Sequence, residues 1–160
     1  MATDDKRYPI LVDTDALIAV GNSSLWAKLT AHIGLTTTNV CKQELKQPVD
    51  NTRETAPEGS RPYRLHHGSR AARDALEDGE TPLTQVTSVP RPHGADAGEQ
   101  SLRQEVLQNP DAVDYAILMD AAGRRSIRRA VEDQDEATRV VTPPFLFHIL
   151  YDHDLISRAE

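Results

Sequence analysis

Short apolar runs alternate with longer amphipathic segments along most of the chain. Five runs rich in aliphatic or β-branched residues each predict a strand: 8–12, 35–39, 83–89, 116–119 and 139–142. Helical spacing of apolar residues predicts helices between them, at 16–20, 24–33, 40–46, 69–78, 97–107, 123–132 and after Pro143 or Pro144. Strands that alternate with helices build a mostly parallel sheet covered on both faces. We therefore predict an α/β fold with three layers, α/β/α, and about five strands.

One segment interrupts this alternation. Residues 47–68 hold three prolines and two glycines among polar residues: Pro48, Pro57, Gly59, Pro62 and Gly68. Such a composition favours turns over regular structure. We predict a long Pro-rich loop or insertion at 47–68, within a single domain that spans residues 1–160.

Composition limits the classes of function. The 25 acidic and 18 basic residues give a net charge of −7, so any nucleic-acid contact must come from a local basic patch. The single Cys41 excludes an internal disulfide and a multi-cysteine zinc site. The absence of a long apolar stretch predicts a cytoplasmic protein without a signal peptide or a membrane partner.

The balance within each charge class is unusual. Asp outnumbers Glu by 15 to 10, and Arg outnumbers Lys by 14 to 4. An acidic, Lys-poor surface suits a halophilic cell, because high salt screens its self-repulsion. The alternative is compositional drift in a genome rich in G and C.

Acidic residues follow the predicted strands at the edge where parallel sheets bind ligands, beyond the strand carboxyl ends. Asp13 follows the first strand and Asp120 ends the fourth. Glu44 and Glu99 lie in the helices that follow the second and third strands. Clustered carboxylates repel one another unless a cation neutralises them, and Mg²⁺ or Mn²⁺ prefers oxygen ligands. The pattern predicts a metal site for phosphoryl transfer, with a metal-activated water as nucleophile.

Two further acids have two interpretations each. Asp15 is either an additional metal ligand or the N-cap of the first helix, and Asp96 is either the N-cap of the helix at 97–107 or a ligand.

The predicted helix at 123–132 carries four arginines on one face, opposite Ile127 and Val131: Arg124, Arg125, Arg128 and Arg129. This face predicts an RNA-binding patch that contacts phosphates. The alternative is a solvated face paired with nearby acids.

The same residues lie in motifs that resemble those of PIN-domain nucleases, in the same order and over nearly the whole chain. The motifs are Ile-Leu-Val-Asp-Thr-Asp-Ala-Leu-Ile-Ala at 10–19, Thr-Asn-Val-Cys-Lys-Gln-Glu-Leu at 38–45, Asp-Ala-Gly-Glu-Gln-Ser-Leu at 96–102 and Ile-Leu-Met-Asp at 117–120. The closing Val-Val-Thr-Pro-Pro-Phe-Leu-Phe at 140–147 resembles the usual fifth strand and last helix.

The resemblance implies a metal-dependent endoribonuclease that hydrolyses RNA phosphodiesters, as in the toxins of toxin–antitoxin pairs. It carries over Asp13, Glu44, Glu99 and Asp120 as the catalytic acids that hold the metal. It also implies an antitoxin partner and a homodimer. The last helix supports the dimer if the aromatic-poor core leaves some of its apolar residues exposed: Phe145, Leu146, Ile149 and Leu150.

Two alternatives remain from the residues. Many PIN domains have a second acid after the fourth motif, whereas Ala121 follows Asp120 here. This departure motivates a non-catalytic PIN-like module that binds RNA or protein. The strand-terminal pair Asp13 and Asp15 motivates a phosphatase of the haloacid dehalogenase type that uses Asp13 as its nucleophile.

Overall fold

The computed structural model describes residues 10–51, 57–77, 84–87, 89, 94, 96–109, 113–134, 137–157 and 159. At 46–51 and 84–87 it describes the backbone alone.

Five parallel strands form one sheet in the spatial order β3-β2-β1-β4-β5. They are β1 (Ile10–Val12), β2 (Leu35–Thr38), β3 (Thr84–Thr87), β4 (Tyr115–Ile117) and β5 (Arg139–Val141). In the central strand, Leu11 lies opposite Thr36 of β2 and Ala116 of β4. The chain runs outward from β1 to β3 and then returns to the other side through β4. This reversal opens a crevice at the carboxyl edge between β1 and β4, as it does in other open parallel sheets.

Helices cover both faces of this sheet. Within the described residues they are α1 (Thr14–Gly21), α2 (Trp26–His32), α3 (Asn39–Asn51), α4 (Arg61–Glu77), α5 (Ala97–Gln108), α6 (Ala121–Asp133) and α7 (Pro144–Asp152). None of these described helices is both long enough and apolar enough to cross a bilayer.

The central strand divides the core into two layers, because successive side chains of a strand point to opposite faces. Ile10 and Val12 belong to one apolar cluster, which includes Leu17 of α1 and Leu146 of α7. Leu11 belongs to the other cluster. That second cluster packs α5 and α6 against the sheet through Leu102, Val106, Ile127 and Val131. Each such side chain contributes about 1.5–3 kcal/mol to stability when fully buried. With helices packed on both faces of the sheet, the predicted α/β/α architecture is confirmed.

Helix α7 turns its apolar residues into the first cluster. Leu146, Ile149 and Leu150 are buried there. The Phe145 ring lies 4.7 Å from the Tyr115 ring, centroid to centroid. Because these residues are buried within the chain, α7 provides no exposed apolar face that would support a homodimer. The dimer stays an expectation from the family resemblance.

The prediction of one long loop at 47–68 is wrong. Helix α3 continues to Asn51, and α4 begins at Arg61 after a turn at 57–60. The Ser60 carbonyl accepts the N–H of Arg64 at 2.9 Å, and the Ser60 hydroxyl accepts that of Tyr63 at 3.4 Å. Pro62 lies in the first turn of α4, where the N–H that proline lacks would have no partner within the helix.

Gly68 lies inside α4, at the point where this helix crosses α1. A Cβ atom at Gly21 would stand 2.6 Å from the carbonyl oxygen of Gly68, and a Cβ at Gly68 would overlap the carbonyl oxygen of Ile18. The Asn22 side chain also joins the two helices, since its Nδ2 donates to the carbonyls of Ile18 at 2.9 Å and Arg64 at 2.8 Å. Glycine at 68 therefore serves a close helix crossing and does not mark a loop.

Candidate active site

Asp13 occupies the point where β1 passes into α1. Its Oδ1 accepts the backbone N–H of Ala16 at 2.8 Å, so Asp13 is the N-cap of α1. Asp15 is exposed in the first turn of the same helix. The alternative that made Asp15 the N-cap is therefore wrong, because α1 begins at Thr14 and Asp15 is already its second residue.

Burial raises the pKa of Asp13 from 3.8 to about 7. The negative charges of Asp15 and Glu44 contribute to this raised pKa, whereas hydrogen bonds from the backbone N–H groups of Ala16 and Met119 partly offset the increase. Asp13 is thus a buried carboxyl group between like charges, an arrangement that a bound cation would stabilise.

Glu44 joins three helices at the edge of the sheet. Its Oε2 accepts the Thr14 hydroxyl of α1 at 2.6 Å, and its Oε1 accepts the Gly98 N–H of α5 at 3.1 Å. A Cβ atom at position 98 would stand 2.5 Å from Oε2. The glycine of the Gly-Glu motif therefore makes room for the Glu44 carboxylate.

A buried layer of hydroxyl groups supports these acids. The Thr38 and Ser101 hydroxyls lie 2.6 Å apart, and Ser101 also donates to the Gly98 carbonyl at 2.6 Å. Thr37 donates to the Val12 carbonyl at 2.7 Å. These residues were not among the predicted site residues, although a run of three threonines that ends a buried strand is a recognisable signal.

Cys41 packs in this layer as a small apolar residue. It is buried, its Sγ lies 3.7 Å from the Gly98 carbonyl oxygen, and burial raises the pKa of its thiol. A neutral, enclosed thiol is a poor nucleophile.

Asp120 and Glu99 meet at the start of α6. Asp120 is the N-cap of this helix, and its Oδ2 accepts the Gly123 N–H at 2.7 Å. Glu99 is close by, because a Cβ atom at position 123 would lie 3.2 Å from its Oε2. Asp96 holds the N-cap position of α5, but its exposed side chain makes no capping hydrogen bond.

Two of the four predicted RNA-binding arginines hold the chain itself. Nη1 of Arg124 donates to the carbonyls of Leu118 at 2.9 Å and Met119 at 2.7 Å. Nη2 of Arg128 donates to the Val140 carbonyl at 3.1 Å. Arg125 and Arg129 are exposed, and their side chains form no hydrogen bond or ion pair with the described residues. The face predicted to contact phosphates is thus reduced to these last two, because the other two guanidinium groups are engaged at the sheet edge.

The Arg124 contact also bears on the acids. The Leu118 carbonyl and the Met119 N–H belong to one peptide unit, and a trans peptide points them in opposite directions. With Arg124 on the carbonyl side, the Met119 N–H faces Asp13, whose carboxylate receives its hydrogen bond. The turn that Arg124 holds therefore leads directly to Asp120 and contacts Asp13 as well.

The donor set suits a hard divalent cation, since it consists of carboxylates and one of them is buried among like charges. Asp13 is coupled electrostatically to Glu44, and Glu99 approaches the helix end that Asp120 caps. Over the described residues, no three Asp, Glu, His or Cys side chains are placed to hold a single metal ion together. The acids therefore line one edge of the sheet as two pairs.

A cleft of about 450 Å³ opens beside Glu99, between α5 and α6. Besides Asp96 and Glu99, its walls consist of Gln100, Arg103, Gln104 and Leu107 of α5 and Ser126 of α6. The cleft continues the line of acids away from the sheet edge.

Comparison with known proteins gives one family. The family model described as the halobacterial PIN domain matches residues 1–160 of the chain. No curated protein matches it. The family match covers all four acid-bearing motifs.

Proposed function

The chain belongs to the halobacterial PIN-domain family, and from this premise we propose that it is a Mg²⁺- or Mn²⁺-dependent endoribonuclease. PIN domains are generally nucleases. The observation that carries the proposal is the buried carboxyl group of Asp13, flanked by Asp15 and Glu44 at the carboxyl edge of a parallel sheet. A buried carboxyl group beside two further acids favours a cation over a purely structural role.

The two carboxylate pairs, Asp13 with Glu44 and Glu99 with Asp120, would supply the metal ligands, with Asp15 and Asp96 at the periphery. When bound, the ion would supply an activated water and positive charge for the phosphodiester oxygens. The chain orients the ligands through hydrogen bonds: the Thr14 hydroxyl and the Gly98 N–H hold Glu44, and the Ala16 N–H holds Asp13. The exposed Arg125 and Arg129 would attract the RNA backbone toward α6.

The test compares two substitutions at opposite ends of one strand. Asp120→Asn changes a proposed ligand after β4, and Asp114→Asn makes the same change before β4, where Asp114 is exposed. We expect Asp120→Asn to reduce cleavage of single-stranded RNA by more than the 10–100-fold typical of groups that only support a metal ligand. Asp114→Asn should retain activity, and a chelator should abolish it in both the parent and this control.

The alternatives predict different results. RNA that binds but is not cleaved with either metal would indicate the non-catalytic module suggested by Ala121. Full activity of Asp120→Asn would refute the assignment of the site. The phosphatase alternative loses its basis with the family assignment, and a phosphate analogue that traps covalently at Asp13 would restore it.

We further propose that the nuclease acts as the toxin of a toxin–antitoxin pair and forms a homodimer. Induced expression of the parent chain should arrest growth of a host cell, whereas Asp120→Asn should not. A protein partner that co-purifies and suppresses cleavage would be the antitoxin. Light scattering in low and high salt measures the dimer, and a monomer mass in both would refute it.

A further inference from the structure

We propose that the cleft between α5 and α6 is a nucleotide-binding subsite, which holds the RNA nucleotide next to the scissile phosphate through Arg103. This inference rests on the proposed ribonuclease function, because Glu99 belongs both to the acids and to the cleft wall. It places the nucleotide beside the acids along α5, with α6 on the other side of the cleft.

The cleft wall is a distinct face of α5. Gln100, Arg103, Gln104 and Leu107 follow the spacing i, i+3, i+4 and i+7, so they share one side of the helix. The opposite side is buried against the sheet through Leu102 and Val106. The polar residues of this first face line an open cleft beside the neighbouring helix α6.

The polar groups of the cleft are available for a ligand. In the part of the chain that the structure describes, the side chains of Gln100, Arg103 and Gln104 form no hydrogen bond or ion pair. Arg103 is exposed and lies one helical turn after Glu99. This contrasts with Arg124 and Arg128, whose guanidinium groups are bound to backbone carbonyls.

The chemistry of the wall matches one nucleotide. A guanidinium group binds a phosphate through two parallel hydrogen bonds. Glutamine amides both donate and accept, as the edges of unpaired RNA bases require. Leu107 and Ser126 add an apolar surface and a hydroxyl group at the walls. The volume of about 450 Å³ falls within the range of small-ligand sites, about 300–1,000 Å³.

The experiment measures RNA binding separately from cleavage. The Asp120→Asn chain, which is expected not to cleave, is titrated with a fluorescent single-stranded RNA in buffers that contain Mg²⁺ and several KCl concentrations. One lost phosphate contact reduces the slope of log affinity against log salt by about 0.7 for single strands. We expect this reduction for Arg103→Gln. Arg139→Gln removes the same charge from an exposed residue at the amino end of β5, across the sheet from the acids, and should leave the slope unchanged.

A second variant tests whether RNA occupies the cleft. Ser126→Tyr fills the cleft without changing the charge, so it should weaken RNA affinity several-fold at an unchanged salt slope, with the folded state verified by circular dichroism. Equal slopes for Arg103→Gln and Arg139→Gln, or undiminished affinity of Ser126→Tyr, would refute the subsite. If the parent chain fails to cleave RNA but Arg103→Gln still lowers the slope, the ribonuclease proposal fails while the cleft remains an RNA site.

Discussion

Asp13 is both a helix cap and a proposed metal ligand, and these two tasks act on its charge in opposite directions. The N–H groups of Ala16 and Met119 stabilise the ionised carboxylate, and burial opposes it more strongly. Without a cation, the folded chain therefore holds a destabilised charge at neutral pH. The same residue that suits metal binding costs stability when the metal is removed.

We predict that Asp13→Asn stabilises the metal-free protein in a pH-dependent way. Below pH 3.8 the carboxyl is protonated in both folded and unfolded chains, so the parent and the variant differ little. Because the folded pKa is raised to about 7, the parent loses stability as pH rises between these values. The loss is about 1.4 kcal/mol for each pH unit at most, and it levels off above pH 7. Asparagine retains the N-cap acceptor for Ala16.

Denaturant unfolding in the presence of a chelator, from pH 4 to pH 8, measures this difference. Asp114→Asn, an exposed control, should follow the parent at every pH. Added Mg²⁺ should stabilise the parent more than Asp13→Asn. A constant difference between the parent and Asp13→Asn across this range would contradict the prediction.

At the scale of elements, the sequence predicts the five strands and the acidic edge, because both follow from local patterns. Ile10 and Leu11 are successive strand residues, so their side chains must point to opposite faces of the sheet. An acid that directly follows a strand of a parallel sheet must lie at the carboxyl edge of that sheet. Two features could not be predicted from the sequence, because contacts between separate elements cause them. Gly68 lies within α4 because α1 crosses α4 there, close to Ile18 and Gly21. Helical spacing also does not show that the Arg124 side chain turns back to the backbone carbonyls that follow β4.

The β4–α6 turn provides a second prediction, namely that Arg124 acts as a positioning residue for the metal ligands. Arg124→Met keeps much of the aliphatic stem but removes both donors to Leu118 and Met119. Because the turn then loses its hold on Asp13 and Asp120, Mn²⁺ affinity should fall about 10–100-fold. Isothermal titration calorimetry measures this change, with Arg139→Met as the control.

The same variant distinguishes positioning from phosphate binding. If Arg124 contacted RNA, its loss would lower the salt slope of RNA binding by about 0.7 and leave Mn²⁺ affinity intact. If Arg124 positions the turn, its loss should lower Mn²⁺ affinity and leave the salt slope of RNA binding unchanged. Arg124→Lys should recover part of the Mn²⁺ affinity, because a lysine ammonium can still donate to a backbone carbonyl.

At the scale of the whole molecule, the net charge of −7 opposes both compactness and the approach of RNA. The metal site and the exposed arginines must overcome this repulsion to bind RNA, and salt weakens the repulsion. The screening length falls from about 10 Å at 0.1 M to about 3 Å at 1 M. The family description names halobacteria, and we propose that this chain is adapted to high salt through its acidic surface.

We predict that its melting temperature rises with KCl concentration and that this rise depends on surface acids away from the site. Glu58, Glu132 and Asp133 are exposed, and the last two lie at the carboxyl end of α6, where the helix dipole disfavours negative charge. The triple variant Glu58→Gln, Glu132→Gln and Asp133→Asn should therefore melt higher than the parent at low salt, by a few degrees for each kcal/mol gained. Above about 1 M KCl the two melting curves should converge, because screening removes the repulsion that the substitutions relieve. Thermal scans by circular dichroism from 0.1 to 3 M KCl measure the slope of melting temperature against KCl concentration for the parent and the variant. Parallel slopes would show that KCl acts on hydration of the apolar core and not on these charges, and the proposed adaptation of the acidic surface would be wrong.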